Sequence, residues 1–129
     1  MPEHSIDTQA QPLYAIKANL FKALSHPARI RVLEILSANG HATAVSEILA
    51  ITDIEPTLLS QHLAVLKRHQ VITGQRIGNR VFYELAHPKI SEMLVIARTF
   101  LADTLGAQRD QFDAIASLPP LPRIDAARK

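Results

Sequence analysis

The chain of 129 residues contains no cysteine and no tryptophan. The first absence excludes disulfides, thiol redox chemistry and thiolate metal ligands. The second, with aromatics at only 5%, leaves a core of aliphatic side chains, which suits packed helices better than an all-β sandwich. Long hydrophobic runs are also missing. The longest, Met93 to Ala97, falls far short of the roughly 20 residues a membrane span needs. Met1 to Gln11 is polar and lacks the apolar core of a signal peptide, so a cytoplasmic protein with no membrane contact is expected. Charge of one sign is scarce: 14 basic and 12 acidic residues leave a net charge of +2. That balance permits a polyanionic partner without requiring one. There is no Gly-rich phosphate loop, no Gly-x-Ser-x-Gly and no His-Glu-x-x-His. No catalytic residue, no enzyme activity and no cofactor are therefore expected.

With 47% hydrophobic and 20% charged residues, the length fits one globular domain. Residues 1–11 read as a flexible arm, 12–117 as the domain, and 118–129, with Pro119-Pro120-Leu121-Pro122, as a mobile tail. Pro12 suits the first turn of a helix that carries Leu13, Ile16, Leu20 and Leu24 at helical spacing. His26-Pro27 ends it and starts a second, which stops at Asn39-Gly40. Thr43 is a plausible N-cap for a short third helix over 44–50, and Pro56 opens a fourth running to about His69. Val71 to Gln75 and Arg80 to Leu85 alternate as strands around Gly78-Asn79, where Gly supplies a positive φ and Asn tolerates it. A last helix starts after Pro88 and runs to about Ser117. The predicted fold is mainly α with a small β-hairpin.

The fourth helix carries the strongest functional signal. At about 100° per residue, Leu59, Leu63 and Leu66 form a core face. Thr57, Gln61, Ala64 and Arg68 lie opposite, with Ser60 at the margin. Small, hydroxyl and amide side chains on one narrow face suit a helix lying in the DNA major groove, where Gln pairs with adenine in bidentate fashion. Thr57 and Ser60 reach a base edge or a phosphate, while Lys67 and Arg68 suit phosphates, which fix register. Taken alone, the helix slightly favours an ordinary solvated surface face, and the hairpin that follows tips the balance. That hairpin presents Arg76, Asn79 and Arg80 around its turn, a basic tip fit for a minor-groove or phosphate contact. Two short helices followed by a basic hairpin make a winged helix-turn-helix.

Four stretches then resemble one family. They are Ser25-His26-Pro27-Ala28-Arg29-Ile30-Arg31-Val32-Leu33, Val45-Ser46-Glu47-Ile48, Ser60-Gln61-His62-Leu63-Ala64-Val65-Leu66 and Gly78-Asn79-Arg80-Val81-Phe82-Tyr83. In order and spacing they resemble the ArsR/SmtB family of bacterial winged-helix repressors, over roughly residues 13 to 105. The resemblance implies a cytoplasmic homodimer that represses transcription by binding a double-stranded DNA operator. It carries DNA contact onto Ser60, Gln61, His62, Asn79 and Arg80, and a structural role onto Arg29. One departure is Gln70, where the family usually has Gly.

A dimer through the first and last helices is expected on residue pattern as well. Ile90, Leu94, Ala97, Leu101 and Leu105 form one stripe on the last helix, and Met93, Ile96 and Phe100 a second. One stripe can serve the domain's own core and the other a partner. The interface residues so predicted are Leu13, Ile16, Leu20, Leu94, Leu101 and Leu105. A wholly intramolecular core is the alternative.

The family's metal sites use cysteines in the short helix, or Asp and His along the last one. Here the short helix has no cysteine, and the last has Asp103, Asp110 and Asp113 but no His. No metal ligand is predicted; His26 is expected to cap or join helices, His62 to pack inside or contact phosphate, and the other histidines to be solvated. The six histidines, His4, His26, His41, His62, His69 and His87, show no i, i+4 pair spanning a carboxylate; a metal would need ligands gathered from several elements. Regulation by protein abundance alone, by a small-molecule effector between the first and last helices, or by a partner protein all fit. A winged-helix protein-interaction module and a repressor with a non-standard His/carboxylate metal site are the competing readings.

Overall fold

A computed structural model describes residues 11–105 of the chain. The expected N-terminal arm up to residue 10, the end of the last helix towards Ser117 and the Pro-rich tail lie outside the described residues, as does the side chain of Leu105. The elements run α1 (Leu13–Leu24), α2 (Pro27–Asn39), β1 (Thr43–Ala44), α3 (Val45–Thr52), α4 (Pro56–Arg68), β2 (Ile72–Ile77), β3 (Arg80–Leu85) and α5 (Pro88–Leu105). Among them no helix is long and apolar enough to cross a membrane.

Each boundary has a local cause. Pro12 precedes α1 as its cap rather than opening the first turn. The exposed His26 caps α2, its Nδ1 accepting from the Ala28 N–H at 3.1 Å, with Pro27 at the first helical position. Gly40, at φ 69, closes α2 in the left-handed conformation. Arg31 of α2 reaches the Ile51 carbonyl near the end of α3 at 3.3 Å. Glu55 caps α4 by accepting the Leu58 N–H at 2.9 Å, with Pro56 next to it.

The buried aliphatics gather around α2, which contributes Val32, Leu33 and Leu36 to the main cluster. Ile48 of α3, Leu59, Leu63 and Leu66 of α4, and Val71 and Ile72 leading into the sheet complete its centre. Because α2 sits between the other helices, four of its residues are 3% exposed or less.

Thr43 does not cap α3. It lies in β1, and Ala44 holds the cap position without a side-chain bond. Its hydroxyl instead accepts from Asn39 Nδ2 at 2.7 Å and donates to the His41 carbonyl at 3.2 Å. The hairpin also gains a third strand, giving the antiparallel order β1-β3-β2. Thr43 pairs with Tyr83 and Ala44 with Phe82. In the turn, Gly78 takes φ 64 and Asn79 does not share a positive φ, the pattern of a two-residue turn with Gly first.

Candidate nucleic-acid interface

The order of helices presents one face of α4 to solvent. Leu59, Leu63 and Leu66 point inward, while Thr57, Ser60, Gln61, Ala64, Lys67 and Arg68 are exposed. The wing stands beside that face because α4 leads directly into β2 through the bend at His69–Gln70. In the hairpin register Ile72, Gly74 and Arg76 share a sheet face with Leu85, Tyr83 and Val81, and these partners are half-buried towards the core. Arg76, Asn79 and Arg80 are all exposed around the tip, and the Arg80 guanidinium lies 5.1 Å from the Phe82 ring centroid. Stacking of this kind orders a long cation that would otherwise sample many rotamers.

Between α4 and the wing lies an open groove of about 620 Å³. Ser60, Ala64 and Lys67 form one wall, Asn79 and Arg80 another, and Ser46 at the start of α3 closes one end. Two cations, three hydroxyls (Tyr83 supplies the third) and an amide border the same space, among apolar side chains that include Val45, Leu49 and Val81. Sequence reasoning placed Ser60, Lys67, Asn79 and Arg80 on this surface but missed Ser46. Its position in the first turn of α3 was the available signal. Gln61, Thr57 and Arg68 lie on the same exposed side of α4 without lining the groove, and Arg76 stands on the wing beyond it.

His62 does not join them. Expected as a DNA contact, it is 4% exposed and lies in the interior. On the helix wheel it falls beside Leu66, and the fold turns that edge inward. Its Nδ1 accepts from Arg29 Nε at 3.2 Å, and its ring centroid is 4.4 Å from that of His26. Arg29 also donates from Nη1 to the Ala23 carbonyl at 3.0 Å. Burial holds the His62 imidazole below the usual histidine value of 6.5, with His26 and Arg29 pushing the same way. Glu55 is lowered as well: the N–H groups of Leu58 and Thr57 favour its carboxylate.

The partner face is also redistributed. Leu20 and Leu94, expected at the dimer interface, pack against the core of their own domain, as do Ile90 and Met93. Leu13 and Ile16 of α1 and Ile96, Phe100 and Leu101 of α5 are exposed. The division on α5 therefore runs along its axis, the first half serving the core and the second half facing out. Among the described residues no three or more His, Asp or Glu gather closely enough to hold a metal.

Comparison with known proteins agrees with this architecture. Residues 26–73 match the family described as bacterial regulatory protein, arsR family. The chain is 44% identical over 98 residues to the uncharacterized HTH-type transcriptional regulator Rv0081 of Mycobacterium tuberculosis, covering 75% of this chain and 84% of that protein. The crystal structure of Rv0081 superposes with a TM-score of 0.68, covering 76% of this chain and 97% of that one. The transcriptional repressor SmtB of M. tuberculosis is 33% identical over 78 residues, 60% of this chain and 56% of that protein. A winged helix-turn-helix DNA-binding domain of Mycobacterium bovis, Mb0332, described as homodimeric, shares the fold at 24% identity and a TM-score of 0.66, over 77% of this chain and 88% of that one. The exposed face of α4, the basic wing and these likenesses meet in one conclusion: the chain belongs to the ArsR family of winged helix-turn-helix transcriptional regulators.

Proposed function

We propose that this regulator is a homodimeric repressor that reads a double-stranded operator with α4 in the major groove. The observation that carries the reading is the shared groove, where residues of α4 and of the wing present cations, hydroxyls and an amide to one space. Thr57, Ser60 and Gln61 face the bases, Gln61 with the bidentate geometry that favours adenine. Lys67 and Arg68 contact phosphates, and Arg76, Asn79 and Arg80 follow the backbone into the adjacent minor groove. Ser46 adds a phosphate contact from α3.

A second copy of the chain covers Leu13, Ile16, Ile96, Phe100 and Leu101. Two-fold pairing would set the recognition helices about 34 Å apart, one turn of DNA. Repression follows from occupying a promoter; the SmtB relative's name calls that protein a transcriptional repressor. The family's cysteine and Asp/His metal sites play no part in this reading.

The test is selection of bound duplexes from a random library, followed by footprinting of the winner with and without zinc. A palindromic site and a Kd that weakens steeply with salt are expected. A salt-independent Kd, or no enriched sequence, would favour the protein-interaction module. Protection that zinc abolishes would overturn the metal-free reading.

A further inference from the structure

His62 is the only buried ionisable side chain among the described residues, and the DNA-reading face makes no direct use of it. It lies between outward-facing Gln61 and core Leu63. Its Nδ1 accepts from Arg29 Nε, and Arg29 in turn holds the Ala23 carbonyl in the last turn of α1. His26, which caps α2, packs against its ring at a tilt of 52°. One imidazole thus ties the recognition helix to the corner where α1 meets α2.

The tie has a fixed protonation state. A guanidinium only donates, so Nδ1 must be unprotonated and the neutral ring carries its hydrogen on Nε2. Nε2 is buried and has no hydrogen-bond partner among the described residues. The elements packed against this part of α4 are α1, α2 and β2. The charged and titratable groups facing the ring are His26 and Arg29 of α2. The interior residues of α1 and β2 are the apolar Ala23, Leu24 and Ile72. A proton taken from water onto Nδ1 forms a new N–H that points at the donors of Arg29. The hydrogen bond is lost, and two cations face each other in an apolar surround.

We propose that His62 is a proton-operated catch on the recognition helix: neutral, it holds α4 in its DNA-reading pose, and protonated, it lets go, so that acid releases the operator. This rests on the DNA-binding function proposed above. The sign is diagnostic. Protonation of exposed histidines adds positive charge and strengthens binding to a polyanion, whereas the catch weakens it. His62 is a positioning residue, since it acts through Arg29 and the orientation of Gln61 and its neighbours.

The experiment uses the full chain and the fluorescently labelled duplex recovered by selection, with Kd followed from about pH 8 to about pH 5, across the ordinary histidine range. The wild-type Kd should be flat at the alkaline end. Below the His62 midpoint it should weaken by about tenfold per pH unit for each coupled ring, hence by up to about a hundredfold for a dimer with one His62 in each subunit. The His62 ring, followed by NMR, should titrate over the same range. His62→Asn keeps an acceptor near the Nδ1 position and cannot titrate. It should match the wild type at about pH 8 and show no loss in acid.

Loss in acid that persists in the variant would overturn the proposal, as would a wild-type Kd that stays flat or tightens while the ring titrates. A second readout needs no variant. Because linkage is reciprocal, bound duplex must lower the His62 midpoint, and an unmoved midpoint refutes the catch. Failure to bind the duplex even at about pH 8 would overturn both proposals, which separates that outcome from failure of the catch alone.

Discussion

Gln70 sits where a glycine would cost less. It follows the C-terminal bend of α4 with φ 61, in the left-handed region that a side chain disfavours by about 1–2 kcal/mol. Its N–H donates to the Lys67 carbonyl at 2.9 Å, and the Val71 N–H donates to the Leu66 carbonyl at 3.0 Å. This bond pair is a Schellman helix end, whose left-handed position is usually glycine. The apolar contact that normally accompanies it is supplied by Leu66 and Val71, both in the core cluster. Since these backbone bonds are made whatever the side chain, Gln70→Gly should relieve the strain and keep them. Added freedom of the unfolded chain takes back about 0.4–1 kcal/mol. At mid-range a net gain of about 0.8 kcal/mol remains, within outer limits of about 0 and 1.6 kcal/mol, or about 3–6 °C in Tm for a domain of this size.

Urea and thermal unfolding at one fixed protein concentration would measure the gain, because the apparent stability of the proposed dimer depends on concentration. Gln70→Ala is the control, as it removes the side chain but retains the Cβ. A glycine variant no more stable than the wild type, or an alanine variant that gains as much, would refute backbone strain at Gln70.

Further outcomes follow from the site and its supports. Gln61→Ala should lose about 1–3 kcal/mol at the preferred site and relax base choice there; an unchanged footprint and Kd would remove it as a reader. Arg80→Ala should weaken binding to all sequences and flatten the salt slope, and an unaltered slope would take the wing off the phosphates. A Cβ on Gly74 would lie 2.6 Å from Tyr83 Cε1, so Gly74→Ala should destabilise by about 1–3 kcal/mol through overpacking, with wild-type urea unfolding as the contrary result. Glu55 has a folded pKa below its unfolded value, so its contribution is present above the ordinary carboxylate range and fades as pH falls through the folded value. Glu55→Gln should remove that part of the acid sensitivity in denaturation curves, and identical acid limbs would contradict it. Leu101→Lys should yield monomers by sedimentation and weaken operator binding, whereas an intact dimer would place the interface elsewhere.

The paired carriers of the function differ in how far they could be read in advance. The outward face of α4 was legible because Leu59, Leu63 and Leu66 fix the orientation of the helix by themselves. Once they are inside, Thr57, Gln61, Ala64 and Arg68 have no choice but to face out. The hairpin was legible for the same reason, since alternation and a Gly at the turn are local properties. His62 was not. It falls at the edge of the apolar stripe, and an imidazole is at home in water or in a core. Its place was settled by Arg29, 33 positions away, which offers a donor that only an interior ring can meet.

The chain by itself, free of cysteine and poor in aromatics, determined an aliphatic helical domain with a basic wing, because periodicity, caps and turns act over a few residues. Tertiary structure alone decided the rest. Thr43–Ala44 became a strand because β3 offered them a ladder, and two residues have no periodicity to announce it. The first half of α5 went to the core and the second half outward, because the domain ends partway along that helix. The groove joining Ser46, Ser60, Lys67, Asn79 and Arg80 exists only once α3, α4 and the wing are packed, since three separate elements supply its walls.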